Sequence, residues 1–490
     1  MHLIGTAQNL NPVGSGSTTT TELATAQAPA KLTVAVGPSL SEFLLLLFET
    51  LEKEDLRYCV LHGWERLPIE LDPDGNLDLA IHPDDAEKLP SVVRALSERG
   101  YQPIQRLNYA GNAYALVFAW FEDLALKTVT ADFTFEPPNS GFIGRSGEAP
   151  AVGRQKLNGL WIAEPTTEFA FLLVKKLSKG RVGSGTEQRL RLLVERLGRP
   201  KAEQVASTLF GKMRGGEIVQ ACEDLTLGEI LEKLRPVPLR RHIFGRPLNA
   251  IRSFFEDAVR LVRRWRRPPG FSLILLGPDG VGKSTLVAGL LQAFAPVFRH
   301  HQIFHWRPGV AVPIRDGDGS LSNPHGQAPR GVSMSVLYLF GFFLDFCVGY
   351  AVRIRPSLIR SGLVIFDRYL PDLLVDQRRY RYAGPLWLVR LLLRLVPGFG
   401  GLLLVLDAPE EVILSRKHQL SPRELQRQRA DYRLLSCNLP NAHLLETQHG
   451  VEQTLAMASQ IIVQHLAERF HKQHMSCVAL NPRPAAAGSR

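Results

Sequence analysis

Gly277, Pro278, Asp279, Gly280, Val281, Gly282, Lys283, Ser284 and Thr285 read GPDGVGKST and fit the spacing G-x-x-x-x-G-K-[ST]. The chemistry of that spacing is phosphate binding. Glycines let the backbone curl around an oxyanion so that successive N–H groups point inward. A helix opening at Lys283 adds the positive end of its dipole. Lys283 can then reach the outer phosphates of a nucleoside triphosphate, and the Ser284 hydroxyl can ligate Mg²⁺. The metal also needs a carboxylate, and Asp367 ends the apolar run GLVIFD, where such an acid belongs. ATP and Mg²⁺ are the expected ligands, with Ser284 and Asp367 on the metal.

These residues need a strand before the loop and a helix after it. FSLILL supplies the strand, and LVIFD and LLLVLD are further short apolar runs of the kind buried in a parallel sheet. Residues 271–470 are expected to form an α/β domain, a parallel sheet flanked by helices. A smaller α+β domain is expected over 38–235, with helices at SLSEFLLLLFETLEK, DDAEKLPSVVRALSERGY, EFAFLLVKKL and EQRLRLLVERLG, and strands at RYCVLHG, LDLAIHP, ALVFAW and LKTVTADFTF. Residues 236–270 hold a basic amphipathic helix (Arg260, Arg263, Arg264, Arg266, Arg267) that ends at Pro268, Pro269 and Gly270, and it is read as a connector with a solvated face. The polar segments 1–37 and 471–490 are expected to be disordered tails.

GPDGVGKST, DRY at Asp367–Tyr369 and LDAPEEVILSRK at Leu406–Lys417 together resemble the thymidylate kinase branch of the nucleoside monophosphate kinases. The resemblance covers about 271–465. It implies a phosphotransferase with Lys283, Asp367 and Arg368 as catalytic residues. It implies that Asp279 faces the acceptor's sugar, that Arg368 takes the acceptor phosphate, and that Gln377 and Arg307 (in HWRPG) line the acceptor side. It places Arg416, Arg423, Arg427 and Arg429 in a mobile lid. With Gly280 where some members of that branch carry an arginine, the lid would supply the missing charge. The segment after DRY departs from the pattern: Pro371 and Asp372 stand where small hydroxylated residues are usual, and Asp376 replaces a tyrosine. The loop DGDGSLSNPHGQAPRG at 316–331 is read as substrate-facing. Two alternatives stay open, a kinase for a saccharide or cell-envelope precursor and a non-catalytic NTP-binding switch.

The first domain resembles the opening of the nucleotidyltransferase fold, where a D-x-D strand presents metal-binding acids. Here Asn76 takes the first acid's place, leaving Asp78, with Asp132 as a candidate third acid and Trp64 in the glycine turn. Asparagine brings no charge, so a degenerate or substrate-recruiting domain is expected. Lys175 and Lys176 are expected on a wet helix face, and His300, His301 and His305 at the surface rather than on a metal.

A net charge of +11 favours a polyanionic partner without choosing one. Nucleotide and a small phosphorylated acceptor are the expected partners, no specific nucleic acid is, and a homodimer is left open. Five scattered cysteines, none in a CxxC pair, support neither a disulfide framework nor zinc, and a cytoplasmic location is the natural reading. The apolar stretch from Met334 to Val352 contains Asp345 and is read as a buried core helix. Peripheral membrane contact is open but not favoured.

Overall fold

In the computed structural model, Ser39 opens the first helix, α1 (Leu40–Lys53), with a reciprocal cap: its hydroxyl accepts the Glu42 N–H while the Glu42 carboxylate accepts the Ser39 N–H. The described residues are 39–71, 76–109, 113–135, 151–234, 247–312, 328–398, 401–416, 420–439 and 441–475. The tail expected at 1–37, most of that at 471–490 and most of the loop at 316–331 lie outside them.

The N-terminal half follows with β1 (Tyr58–Val60), β2 (Asn76–Ile81), α2 (Leu89–Glu98), β3 (Gln102–Asn108), β4 (Ala113–Glu122), β5 (Ala125–Thr134), β6 (Gln155–Leu157) and β7 (Leu160–Ile162). These strands form one mixed sheet in the order β3-β4-β5-β2-β1-β7-β6. The helix read from DDAEKLPSVVRALSERGY divides at its proline: a 3₁₀ turn spans Pro83–Lys88, and α2 starts afresh with Pro90 in its first turn. Helices α3 (Pro165–Lys179), α4 (Ser184–Leu197), α5 (Arg199–Phe210), α6 (Gly215–Glu223) and α7 (Leu227–Leu234) come next, and Phe169, Leu193, Phe210 and Ile218 belong to a core of their own.

After α8 (Pro247–Arg266) the chain alternates. The elements are β8 (Phe271–Leu276), α9 (Lys283–Ala293), β9 (His300–His305), α10 (Val332–Gly349), α11 (Arg355–Ile359), β10 (Gly362–Asp367), α12 (Asp372–Val375), α13 (Leu386–Leu395), β11 (Leu402–Asp407), α14 (Glu410–Arg416), α15 (Pro422–Asn438), β12 (Ala442–Glu446) and α16 (Val451–Phe470). The second sheet has the order β12-β11-β8-β10-β9, with every pair parallel. FSLILL, GLVIFD and LLLVLD are its three inner strands because each can bury both faces. This order puts the carboxyl ends of β8 and β10 side by side, with Asp367 beside Leu275 in register. His300, His301 and His305 sit on the edge strand β9, a strand the histidines hid from sequence reading.

The two halves share a core. Ile104, Val117 and Ala119 of the first sheet pack in one cluster with Phe271, Leu290, Ile462 and Leu466 of the second half. Beyond α16 a π turn (His471–Met475) carries the chain onward, and Phe470 and Met475 belong to the core of the first sheet. Arg469 donates to the carbonyls of Gly270 (2.8 Å) and Pro269 (3.2 Å), and Gln105 donates to Pro269 O (3.2 Å). Each fully buried aliphatic side chain in such a seam contributes about 1.5–3 kcal/mol.

Candidate functional site

The phosphate cradle is built by β8, its glycine loop and the start of α9. Gly277 has φ 143°, and a Cβ there would lie 2.5 Å from Leu406 O on β11, so no larger residue fits. Gly282, at φ 106°, is the N-cap of α9 and has no side-chain cap, which leaves the first-turn N–H groups to a ligand. Ser284 and Thr285 are exposed in that turn. Lys283 folds back over the loop, and its ammonium donates to Gly277 O and Pro278 O, both at 2.9 Å. Burial, with the Arg368 charge nearby, pushes its pKa down to about 7 against the pull of Asp279, Asp367 and Asp372.

Asp367 stands at the end of β10, on the strand next to β8. Its Oδ1 is buried without a hydrogen-bond partner, and its Oδ2 lies 3.5 Å from His305 Nδ1. A desolvated carboxylate oxygen left open on the strand next to β8 suits a hard cation that prefers oxygen ligands. Ser284 and Asp367 thus offer oxygen donors of the kind that Mg²⁺ takes.

Next to Asp367 the backbone turns at Arg368 with φ 74°, and the Arg368 N–H bonds to Leu275 O at 2.9 Å. The Arg368 guanidinium is buried in a polar cluster. It donates to Asp372 (2.7 Å), to the Tyr432 hydroxyl (3.2 Å) and to Asp279. Arg379 donates to the other oxygen of Asp279 at 2.8 Å. Asp372 also accepts the hydroxyls of Tyr380 (2.6 Å) and Tyr432. Burial alone would raise both carboxyl pKa values. The arginines, with Lys283 at Asp279 and the tyrosine hydroxyls at Asp372, hold both below the usual carboxylate range. Arg379, Tyr380 and Tyr432 were missed from sequence; the only local signal was the Arg/Tyr-dense run RRYRY.

Other residues singled out from sequence lie elsewhere in the structure or are otherwise engaged. Arg307 is 1% exposed and donates to Asp345 at 3.1 Å and to Val312 O. Asp345 also accepts the N–H groups of Gly309 (2.8 Å), Val310 (2.6 Å), Ala311 (2.7 Å) and Val312 (3.3 Å), so the pair anchors a loop. Gln377 is half-buried in the turn after α12, where its carbonyl accepts the Tyr382 N–H at 3.0 Å. The Asp376 carboxylate caps that turn through the Arg379 N–H (3.2 Å). Of the lid arginines, Arg416 has a guanidinium nitrogen 3.7 Å from where a Gly282 Cβ would stand, beside the cradle. Arg427 is bound to Glu424, Asp431 and Val375 O. Arg429 is bound to Asp407, and Arg423 is exposed on α15. A cleft lined by Asp407, Ala408, Pro409, Arg429, Arg433, Glu446 and Gln448 opens at the ends of β11 and β12.

In the first sheet, β2 and β5 pair Asp78 with Asp132. Lys175 does not lie on a wet face: its ammonium bonds to Asp78, which His62 also approaches at 3.2 Å, and Lys176 is 4% exposed. Helix α3 turns this side against the sheet, correcting the sequence reading. Burial raises the Asp78 pKa, but His62 and Lys175 outweigh it and hold the carboxylate ionised. Asn76 and Tyr109 donate to Asp132 at 3.4 and 3.3 Å. These residues do not fit a two-metal centre, because an ammonium already supplies the positive charge at Asp78 and Asn76 adds no negative charge. Among the described residues, no group of three or more His, Cys, Asp or Glu could hold a metal ion.

Among solved structures, the chain is similar to a thymidylate kinase from Ehrlichia chaffeensis, at 16% identity and a TM-score of 0.29, covering 40% of this chain and 100% of that one. It is also similar to a thymidylate kinase from Candida albicans, at 17% identity and a TM-score of 0.31, covering 40% of this chain and 93% of that one. No protein-family model matches the chain, and no curated protein matches it. The geometry of the site carries the functional reading.

Proposed function

We propose that the chain is an ATP- and Mg²⁺-dependent phosphotransferase of the nucleoside monophosphate kinase type, acting on a small acceptor that already carries a phosphate. The observation that carries this reading is the juxtaposition of a phosphate cradle with a two-arginine cluster, joined through Asp279. Arg368 and Arg379 grip its two oxygens, and Lys283 lies at the start of the neighbouring helix.

The α9 N–H groups and the Lys283 ammonium take the donor's phosphate oxygens, the lysine exchanging two loop carbonyls for them. Arg416 adds charge beside the cradle. Ser284 and Asp367 would hold Mg²⁺, which would supply positive charge to the donor phosphates. Arg368 and Arg379 hold the acceptor's phosphate, and Asp279 accepts from an acceptor hydroxyl. An oxygen of the acceptor's phosphate then bonds to the γ-phosphorus as the bridge oxygen leaves with ADP. Tyr432 ties the lid helix α15 to Arg368, which links lid position to the acceptor side.

A phosphorylated saccharide offers the same phosphate and hydroxyls. The carboxylate Asp372 at the centre of the cluster, in place of a small hydroxyl residue, favours that second reading for the acceptor. ADP release with MgATP decides between them when deoxythymidine monophosphate, the other nucleoside monophosphates and phosphorylated sugars are added one at a time. The expected result is stimulation by one class, reduced on the order of a hundredfold in Asp367→Asn. Arg379→Ala should raise KM for the acceptor and leave that for ATP unchanged. ATP binding with no stimulation by any acceptor would overturn the proposal in favour of a non-catalytic switch.

A further inference from the structure

Helix α10, the π turn after it (Tyr350–Ile354) and α11 form one 28-residue helix, long and apolar enough to cross a membrane. It does not lie as a core helix must, since only one face is buried. Leu339, Phe342 and Phe346 join the core beside Ile274 and Leu276 of β8, while Leu337 (64% exposed), Phe340 (49%) and Leu344 (55%) point outward at helical spacing. The buried-helix expectation therefore fails for half of its surface. A bilayer span fails as well, because the inner face is part of the sheet's core.

Two more helices meet this one. Helix α13 packs into the same core and exposes Trp387, Leu391 and Leu395 at i, i+4 and i+8, with Arg390 and Arg394 also exposed among them. Its end reaches Tyr350, which lies against Gly398. Arg355 donates to the Tyr350 hydroxyl at 3.0 Å and sits over the ring of Trp265, which is exposed on α8. Leu261 and Val262 are exposed on the same helix, among Arg263, Arg266 and Arg267. The ends of these three helices, each with exposed apolar side chains, thus meet near Tyr350 and Arg355. The only acid of α10 is the buried Asp345, and α13 contains none.

We propose that this face docks the protein peripherally on an anionic lipid bilayer. Leucines, phenylalanine and tryptophans enter the headgroup boundary, and the arginines lay their stems along it and meet lipid phosphates. Charge complementarity selects this occupant. A second copy of the chain would bring Arg390 and Arg394 of α13 against the same face, where neither α10 nor α13 has an exposed acid to answer them.

Flotation with vesicles of phosphatidylcholine, with and without phosphatidylglycerol, tests the assignment on the full chain. The wild type should float with the anionic vesicles, stay behind with the neutral ones, and release as salt is raised. The double variant Arg390→Gln/Arg394→Gln should partition about thirtyfold more weakly, and Leu337→Gln/Leu344→Gln about tenfold or more, each with an unchanged circular dichroism spectrum and melting temperature. Substitution at these exposed positions leaves the core intact. A wild type that remains in solution with anionic vesicles at low salt would overturn the proposal. So would a wild-type dimer in sedimentation that Leu337→Gln/Leu344→Gln dissociates, since the face would then belong to a second copy.

Discussion

Lys283→Met should lower kcat/KM for ATP on the order of a hundred- to thousandfold while making the protein no less stable. The lysine's Nζ lies over the glycine loop, where it donates to two carbonyls of that loop. Its burial works against the charge and brings its pKa down to about 7 from the ordinary 10.5. The unfolded chain therefore binds a proton that the folded chain lacks between pH 7 and about 10.5, and folding stability rises with pH across that window. Methionine fills the same volume without that penalty. Donor phosphates favour the ammonium, so nucleotide binding near pH 8 should take up a proton, and affinity should fall as pH rises above 7. Calorimetry in two buffers of different ionisation enthalpy reads the uptake directly. Wild-type binding with no proton uptake, or a Lys283→Met enzyme that turns over normally, would remove Lys283 from the chemistry.

Asp345→Ala should destabilise the protein by about 3–5 kcal/mol, the range for removing one member of a buried ion pair. Asp345 and Arg307 are 0% and 1% exposed, and the carboxylate also holds the N–H groups of Gly309, Val310, Ala311 and Val312. Without it, a guanidinium and four loop donors lose their acceptor. Burial would raise the Asp345 pKa, but the loop N–H groups and Arg307 lower it overall. Its contribution is therefore present above about pH 4 and is lost as pH falls through the folded-state value. Asp345→Asn should recover part of the loop bonds and none of the charge pairing, giving an intermediate melting temperature. Melting temperatures equal to wild type in both variants would show that the pair is not a structural anchor.

The phosphate cradle was legible because its chemistry is local: Gly277 to Ser284 is one loop, and a strand and helix signal flank it. Asp367 was legible for the same reason, as a charge closing an apolar run. Of the cluster beside it, Asp279 and Arg368 were legible through the resemblance, but Arg379 and Tyr432 were not, because distant segments meet there only in the fold. Tyr432 reaches Arg368 across 64 residues and Arg379 reaches Asp279 across 100. Asp372 was visible only as a departure from a pattern, and the structure makes it the acceptor of three side chains. Lys175 misled because helical spacing does not say which side of α3 meets a sheet. The apolar helix α10 misled differently: both faces are hydrophobic, so periodicity had nothing to separate.

The seam in which Ile104 and Val117 lie among the side chains of α16, with Phe470 reaching the opposite core, leaves no swivel between the halves. The buried cluster at Asp78 cannot be swung toward the cradle. A cut made between residues 235 and 270 would not release two parts, because each would keep a greasy wound where the other had been.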